Sequence, residues 1–147
     1  MVKAIVSLSG GMDSTTVLAS ALYNKIDVLA VSFRYGSKHQ VYEISSSYGI
    51  VKHYSIPHRI IDICSVMASF KSNLLKTGGP IPEGHYEAES MKLTVVPARN
   101  IIFASILAGI AVSEEATEIW LGVHAGDHAI YPDCRPAFIA LMQDAIQ

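Results

Sequence analysis

Ala4-Ile5-Val6-Ser7-Leu8-Ser9-Gly10-Gly11-Met12-Asp13-Ser14 passes from an apolar strand through two glycines into the helical pattern Thr15 to Tyr23. A strand that turns tightly into a helix gathers backbone N–H groups and the positive helix end at one point, the geometry an oxyanion such as phosphate requires. Gly10 and Gly11 suit that turn, because a Cβ would hold a phosphate off the backbone and would penalise left-handed dihedrals. Ser9 and Ser14 add hydroxyls. The stretch lacks the lysine of G-x-x-x-x-G-K-[ST] and does not read G-x-G-x-x-G, so it is neither of those nucleotide loops. Asp13 would repel a bare polyphosphate; its carboxylate fits either as a ligand for Mg²⁺ held against the phosphates or as a cap on the helix backbone. Read alone, the loop is a phosphate cradle or an ordinary glycine turn with an Asp or Ser cap.

Outward from this loop, strand and helix patterns alternate. Ala4 to Leu8 reads as a buried strand, and Ser14 to Asn24 as a helix with Val17, Leu18, Ala21 and Leu22 on one face. Asp27 to Phe33 predicts a second buried strand. A shorter helix over Gln40 to Tyr48 is expected to stop at Gly49 and feed a third strand around Val51 to Ile56. Lys71 to Lys92 carries Gly78, Gly79, Pro80, Pro82 and Gly84 without periodicity, and reads as a long loop with freedom to move. A buried helix over Asn100 to Val112, a fourth strand over Glu118 to Val123 and a helix over Pro136 to Ile146 follow. Strands apolar on both faces with helices between them imply an α/β fold with a doubly wound parallel sheet, whose ligands sit beyond the carboxyl ends of the strands.

Composition bounds the function classes. Half of the 147 residues are hydrophobic, enough for one domain with a sizeable core. A formal net charge of −2 and a pI of about 6.3 give no basic footprint for nucleic acid. The chain shows no N-terminal signal pattern, and the apolar run Ile101 to Val112 is too short to span a bilayer, so a cytoplasmic protein without a membrane partner is expected. Cys64 and Cys134 form no C-x-x-C and argue against a disulfide framework or a zinc cluster in this stretch. The positive mean hydropathy of +0.33 is compatible with a homodimer.

Four stretches together carry a resemblance: Ser9 to Ser14; Tyr35-Gly36-Ser37-Lys38-His39; Val96-Pro97-Ala98-Arg99-Asn100; and Gly122 to Asp127 running into Tyr131-Pro132-Asp133-Cys134-Arg135-Pro136. The first resembles the SGGxDS loop of the PP-loop ATP pyrophosphatases, which cleave ATP between its α and β phosphates to adenylate a substrate. All four together resemble the 7-cyano-7-deazaguanine (preQ0) synthase family, QueC/ExsB, of queuosine biosynthesis. The resemblance runs from Val2 to about Gln147 and implies a Rossmann-like adenine nucleotide alpha hydrolase fold, here a single PP-loop domain over residues 1–147. It also implies a ligase that converts 7-carboxy-7-deazaguanine and ammonia to the nitrile with ATP and Mg²⁺, through adenylated intermediates. The family further carries clustered cysteines that hold a structural Zn²⁺, and those ligands are absent from this sequence. Two other classes share the glycine loop: a different PP-loop enzyme, such as a tRNA sulfurtransferase or an amidotransferase-type synthetase, and a non-catalytic nucleotide-binding module.

The resemblance assigns roles residue by residue. Leu8, Ser9, Gly10, Gly11, Met12, Asp13, Ser14 and Thr15 are expected to hold the phosphates, with Phe33, Tyr35, Lys38 and His39 at the end of the second strand beside the nucleotide. Lys38 would neutralise phosphate or be solvated. Asp13, Ser14, Arg99 and Asp127 are the candidate catalytic residues, Asp13 also the candidate Mg²⁺ ligand. Arg99 and Asn100 open a helix after a proline, where they would address a phosphate or a substrate carboxylate, or serve as a cap beside a solvated arginine. Asp127, Tyr131, Asp133 and Arg135 form the most polar constellation, suited to a deazapurine that needs acceptors for its N–H groups and an aromatic face, or to a polar surface turn. Cys134 reads as a small buried residue, Trp120 as core, and His124 and His128 as no metal pair. The family's usual Pro-Gly-Arg-Asn is Pro97-Ala98-Arg99-Asn100 here; an alanine that had to take the glycine's positive φ would be strained.

Overall fold

The computed structural model describes residues 1–81, 89–123, 126 and 131–146. In chain order the elements are β1 (Ala4–Ser7), α1 (Met12–Tyr23), β2 (Val28–Arg34), α2 (Gln40–Tyr54), β3 (His58–Asp62), α3 (Cys64–Met67), α4 (Arg99–Ser113), β4 (Glu118–Trp120) and α5 (Pro136–Ile146), with 3₁₀ turns over Glu89–Thr94 and Pro132–Cys134. The strands pair in the order β3-β2-β1-β4, all parallel, so that Ile5 lies beside both Leu29 and Ile119.

Strand alternation divides the core into two layers. Ala4, Val6 and Leu8 join Val28 and Ala30 on one face, where Leu18 and Ala21 of α1 and Val51 of α2 cover them. Ile5, Leu29, Val31 and Phe33 face the other way, against Met67 of α3 and Leu107 and Ala111 of α4. Ile5, Leu18 and Leu107 are wholly excluded from water, and burial of each such side chain is worth roughly 1.5–3 kcal/mol. Helices on both faces of a parallel sheet make the doubly wound α/β architecture expected from the strand patterns.

From β1 the chain steps outward to β2 and then β3, and after α4 it returns to place β4 on the opposite side of β1. The direction of winding therefore reverses between β1 and β4, and a crevice opens beyond the carboxyl ends of the strands at that reversal. The glycine loop leaves β1 at this point.

Two local expectations are corrected. Residues 51–54 are the last turn of α2 rather than a strand, and the third strand is His58–Asp62. Gly49 does not stop the helix because it sits on an open helical surface, while Val51 anchors the next turn in the core; termination comes at Ser55, whose φ of 54° is left-handed. Within the stretch expected to move, residues 71–81 are held in place. Leu75 is buried and bridges Ser37, the N–H of Lys38 donates to the Leu74 carbonyl, and the N–H of Lys76 donates to that of Gly36. The apolar residue 75, which fills the layer beneath β2, is what fastens this connection.

Lys92–Ser113 is long and apolar enough to cross a membrane by length and composition. Within it α4 has 15 residues, about 22 Å at ~1.5 Å per residue, and lays Ala104, Leu107 and Ala111 on the sheet. Ile101 and Val112 remain exposed, so the helix expected to be buried is buried along one face. At the far edge of the sheet the ring of His58, depressed in pKa by burial, shares a 2.8 Å hydrogen bond with Ser32 of β2, whose hydroxyl also donates to the Leu8 carbonyl at the end of β1.

Gly10 has φ +83°, and a Cβ there would stand 2.7 Å from the Glu43 carbonyl and 2.8 Å from the backbone N of Ser47. At Gly49, by contrast, a Cβ would meet nothing within 4 Å. Urea denaturation should show Gly10→Ala losing about 2 kcal/mol or more of stability and Gly49→Ala gaining about 0.5–1 kcal/mol; equal effects at the two positions would contradict the close packing of the loop on α2.

Candidate nucleotide site

The loop is shaped by its own serines. The Ser9 N–H donates to Ser14 Oγ at 3.2 Å, the two hydroxyls lie 3.0 Å apart, and the Gly11 N–H reaches Ser9 Oγ at 3.3 Å. Ser14 Oγ and Thr15 Oγ1 both donate to the Gly11 carbonyl, at 3.2 and 2.7 Å. Gly11 is the N-cap of α1 and brings no capping side chain, so the first turn keeps the anion-binding end that helix starts possess. Gly11 itself lines the pocket: among the described residues only Ser9 Oγ, at 3.4 Å, would meet a Cβ there. These features fit a polyphosphate. Asp13 lines the same cavity.

The second wall comes from β4. Gly122 lies against α1, where a Cβ would be 2.9 Å from the Ser14 N and 3.0 Å from its Cα. This contact brings Leu121, Gly122 and Val123 to the cavity. Phe33, stacked on Phe103 with ring centroids 4.0 Å apart, and Tyr35, edge-on to Phe103 at 5.5 Å, supply an aromatic wall from β2 and α4. The cavity they enclose has a volume of about 270 Å³.

The third wall is charged. Ala98 caps α4 in the left-handed conformation, φ 52° and ψ 26°, and turns the chain so that Arg99 and Asn100 begin the helix at the cavity. Burial works against the charge of Arg99, yet Tyr35, Tyr131 and Asp133 hold its pKa above the ordinary value, so the guanidinium stays ionised. Tyr35 is pushed up by burial, and further by Glu43, against the pull of Arg99 and Ser37, and stays a neutral phenol. Asp133 is spent partly on the fold: its Oδ2 accepts the Asn100 N–H at 2.8 Å, and its backbone carbonyl accepts from the Asn100 amide at 3.3 Å. That clamp ties the Tyr131–Arg135 segment to the start of α4. Cys134 is buried beside Asn100, as a small core residue.

Of the residues singled out in the sequence, Leu8, Ser9, Gly11, Met12, Asp13, Ser14, Phe33, Tyr35, Arg99 and Asn100 line this one cavity. Gly10 faces α2 instead, and Thr15 lies within the first turn of α1. Lys38 donates its amine to the Gly79 carbonyl, and the His39 N–H binds Ser37 Oγ at 3.0 Å; neither is on the cavity wall. Tyr131 and Asp133 act on the charge of Arg99 without lining the cavity, and Arg135 is exposed. Asp127, His124, His128 and His85 lie outside the described residues. Among the described residues no three His, Cys, Asp or Glu side chains gather as a metal would require. Glu43, Ile44, Phe103 and the Leu121–Val123 stretch also line the cavity without having been read as site residues. Glu43 sits in the first turn of α2, eight residues past Tyr35, a spacing that carries no motif.

Comparison with known proteins fixes the family. The family described as "Queuosine biosynthesis protein QueC" matches residues 3–147. The chain belongs to the QueC family. The 7-cyano-7-deazaguanine synthase of Pseudoalteromonas translucida is 47% identical to this QueC-family chain over 142 residues, covering 97% of it and 65% of the relative. That of Methanoregula boonei is 44% identical over 143 residues, with the same 97% and 65% coverage. The chain thus spans about 65% of the length of these curated relatives. Its fold is shared with a 4-thiouridine synthetase solved with RNA and bound ATP, at a TM-score of 0.61 and 18% identity over 99% of this chain and 34% of that one. The NMN synthetase of Francisella tularensis matches at a TM-score of 0.53 and 16% identity, over 80% of this chain and 44% of that one. These likenesses show the PP-loop fold.

In this QueC-family chain Ala98 takes the left-handed conformation in which a Cβ is strained. Ala98→Gly should therefore raise stability by about 0.5–1 kcal/mol, read as an upward shift of the urea midpoint; an unchanged or lowered midpoint would mean that position 98 carries no left-handed strain.

Proposed function

We propose that this chain binds Mg²⁺–ATP on the Ser9–Ser14 loop and uses it to convert 7-carboxy-7-deazaguanine and ammonia to 7-cyano-7-deazaguanine. The observation that carries the proposal is the convergence, on one cavity at the sheet's reversal point, of an uncapped helix start, an aromatic wall and a half-buried ionised arginine. The names of the relatives supply the substrate.

The reaction asks for alignment of a weak nucleophile with the α-phosphorus and for stabilisation of the departing pyrophosphate. The substrate carboxylate attacks the α-phosphorus, pyrophosphate leaves, and an acyl adenylate forms. Ammonia then displaces AMP to give the amide. The amide oxygen attacks a second ATP in the same way, and loss of AMP with the amide protons leaves the nitrile. Backbone N–H groups at the start of α1 and the hydroxyl pair Ser9–Ser14 would hold the phosphates, while Arg99 would offset charge on the leaving group. A bound Mg²⁺ would supply further charge neutralisation, with Asp13 as its candidate ligand. Asp127, Tyr131, Asp133 and Arg135 remain the candidates to address the deazapurine, and the Asp133 clamp on Asn100 would set that segment's distance from Arg99. A homodimer and a cytoplasmic location belong to this reading through hydropathy and composition, and a structural Zn²⁺, whose cysteine ligands are absent from this sequence, through the family resemblance alone.

Incubation of the chain with ATP, Mg²⁺, 7-carboxy-7-deazaguanine and ammonium should yield nitrile and pyrophosphate by chromatography. Asp13→Ala and Ser14→Ala should each lower the rate at least about 100-fold. Full nitrile formation in both variants would remove the loop from the mechanism, and turnover of ATP only with other acceptors would point to a sibling PP-loop enzyme.

A further inference from the structure

Glu43 is the one acidic side chain on the α2 wall of the cavity, and nothing in the proposed reaction uses it. Its place is fixed by the fold: the backbone carbonyl of the same residue abuts Gly10, and Ser46 Oγ, one turn on, donates to the Gly10 carbonyl at 2.8 Å. The helix turn that carries Glu43 is thus bolted to the phosphate loop. Oε2 of Glu43 is closed off from water and has no hydrogen-bond partner among the described residues. An orphan carboxylate oxygen is costly to bury, and it is tolerated where a nearby cation offsets its charge.

The groups that act on Glu43 come from three elements: Arg99 at the start of α4, Ser37 in the connection after β2, and His39 at the N-cap of its own helix. Burial raises its pKa, and Arg99 opposes that most strongly, followed by Ser37 and His39. Arg99 and Tyr35 line the same cavity as Glu43, and the buried Ser37 accepts the His39 N–H at the start of the helix that carries Glu43. Arg99, Tyr35 and Glu43 therefore meet on one cavity, with Ser37 beside them acting on both Tyr35 and Glu43.

We propose that Glu43 is a positioning residue: its buried carboxylate is the counter-charge that draws Arg99 toward itself, and neutralising it releases positive charge toward a polyphosphate on the glycine loop. The idea rests on the ATP-binding reading above. Its consequence runs opposite to that of structural damage. Loss of the carboxylate charge tightens anion binding, whereas loss of a merely structural contact loosens it or leaves it alone.

The test is calorimetric titration of wild type and Glu43→Gln with Mg²⁺–ATP at pH 7.5, with thermal unfolding to verify folding. Glu43→Gln, which keeps shape but not charge, should bind ATP about 3- to 10-fold more tightly than wild type. Equal or weaker binding by a folded Glu43→Gln would overturn the proposal. Should Glu43→Gln not fold, Glu43→Asp replaces it: drawing the carboxylate back by one methylene should also tighten ATP binding, and equal or weaker binding there would overturn the proposal equally. Failure of wild type to bind ATP at all would instead remove the nucleotide reading, and the counter-charge with it.

Discussion

The site depends on two backbone contacts that leave no room for a Cβ. Gly10 meets the Glu43 carbonyl and Gly122 meets the Ser14 backbone, so the start of α1 is gripped between the first turn of α2 and the end of β4. A parallel sheet whose winding reverses creates a crevice at the reversal, but the crevice becomes a pocket only when its walls close to van der Waals distance. The apolar layers on either side of β1 supply most of the stabilisation, and the glycines decide where that stabilisation can bring the chain together. A side chain at either glycine would spread the walls that the core draws in.

Within that frame the chemistry is organised by charge. Arg99 lies half-buried on the cavity wall, within electrostatic reach of phenols and carboxylates that keep its guanidinium ionised. Asp133 fastens the backbone at the start of α4 through Asn100, while Glu43 shares the cavity with Arg99 and acts on its charge. The glycine loop, by comparison, is wired internally by Ser9 and Ser14, so its geometry is settled without a bound anion.

Much of this was legible in the sequence because it is encoded locally. Strand one, the glycines and the helix after them occupy consecutive residues, and the apolar runs at Val28–Phe33 and in α4 are strong enough to place their elements. The third strand was not legible, since Gly49 resembles a helix stop and Val51-Lys52-His53-Tyr54 alternates like a strand; tertiary burial of Val51 carried the helix onward. Lys38, which read either as a neutraliser of phosphate or as a solvated lysine, gives its amine to the Gly79 carbonyl, because Leu75 draws the 71–81 segment under β2. Glu43 and Phe103 were missed for the complementary reason: they reach the cavity only through the packing of α2 and α4, and no short motif records that packing.

The central claim is that the start of α1, behind Ser9–Ser14, is where phosphate binds. An amide-resolved ¹H–¹⁵N NMR titration of the chain with Mg²⁺–ATP tests it most directly. The account predicts saturable shifts concentrated at Gly11, Met12, Asp13 and Ser14, with smaller ones at Phe33 and Gly122. Saturable binding that leaves those amides unmoved while shifting others, such as those around Lys38 and Gly79, would contradict it.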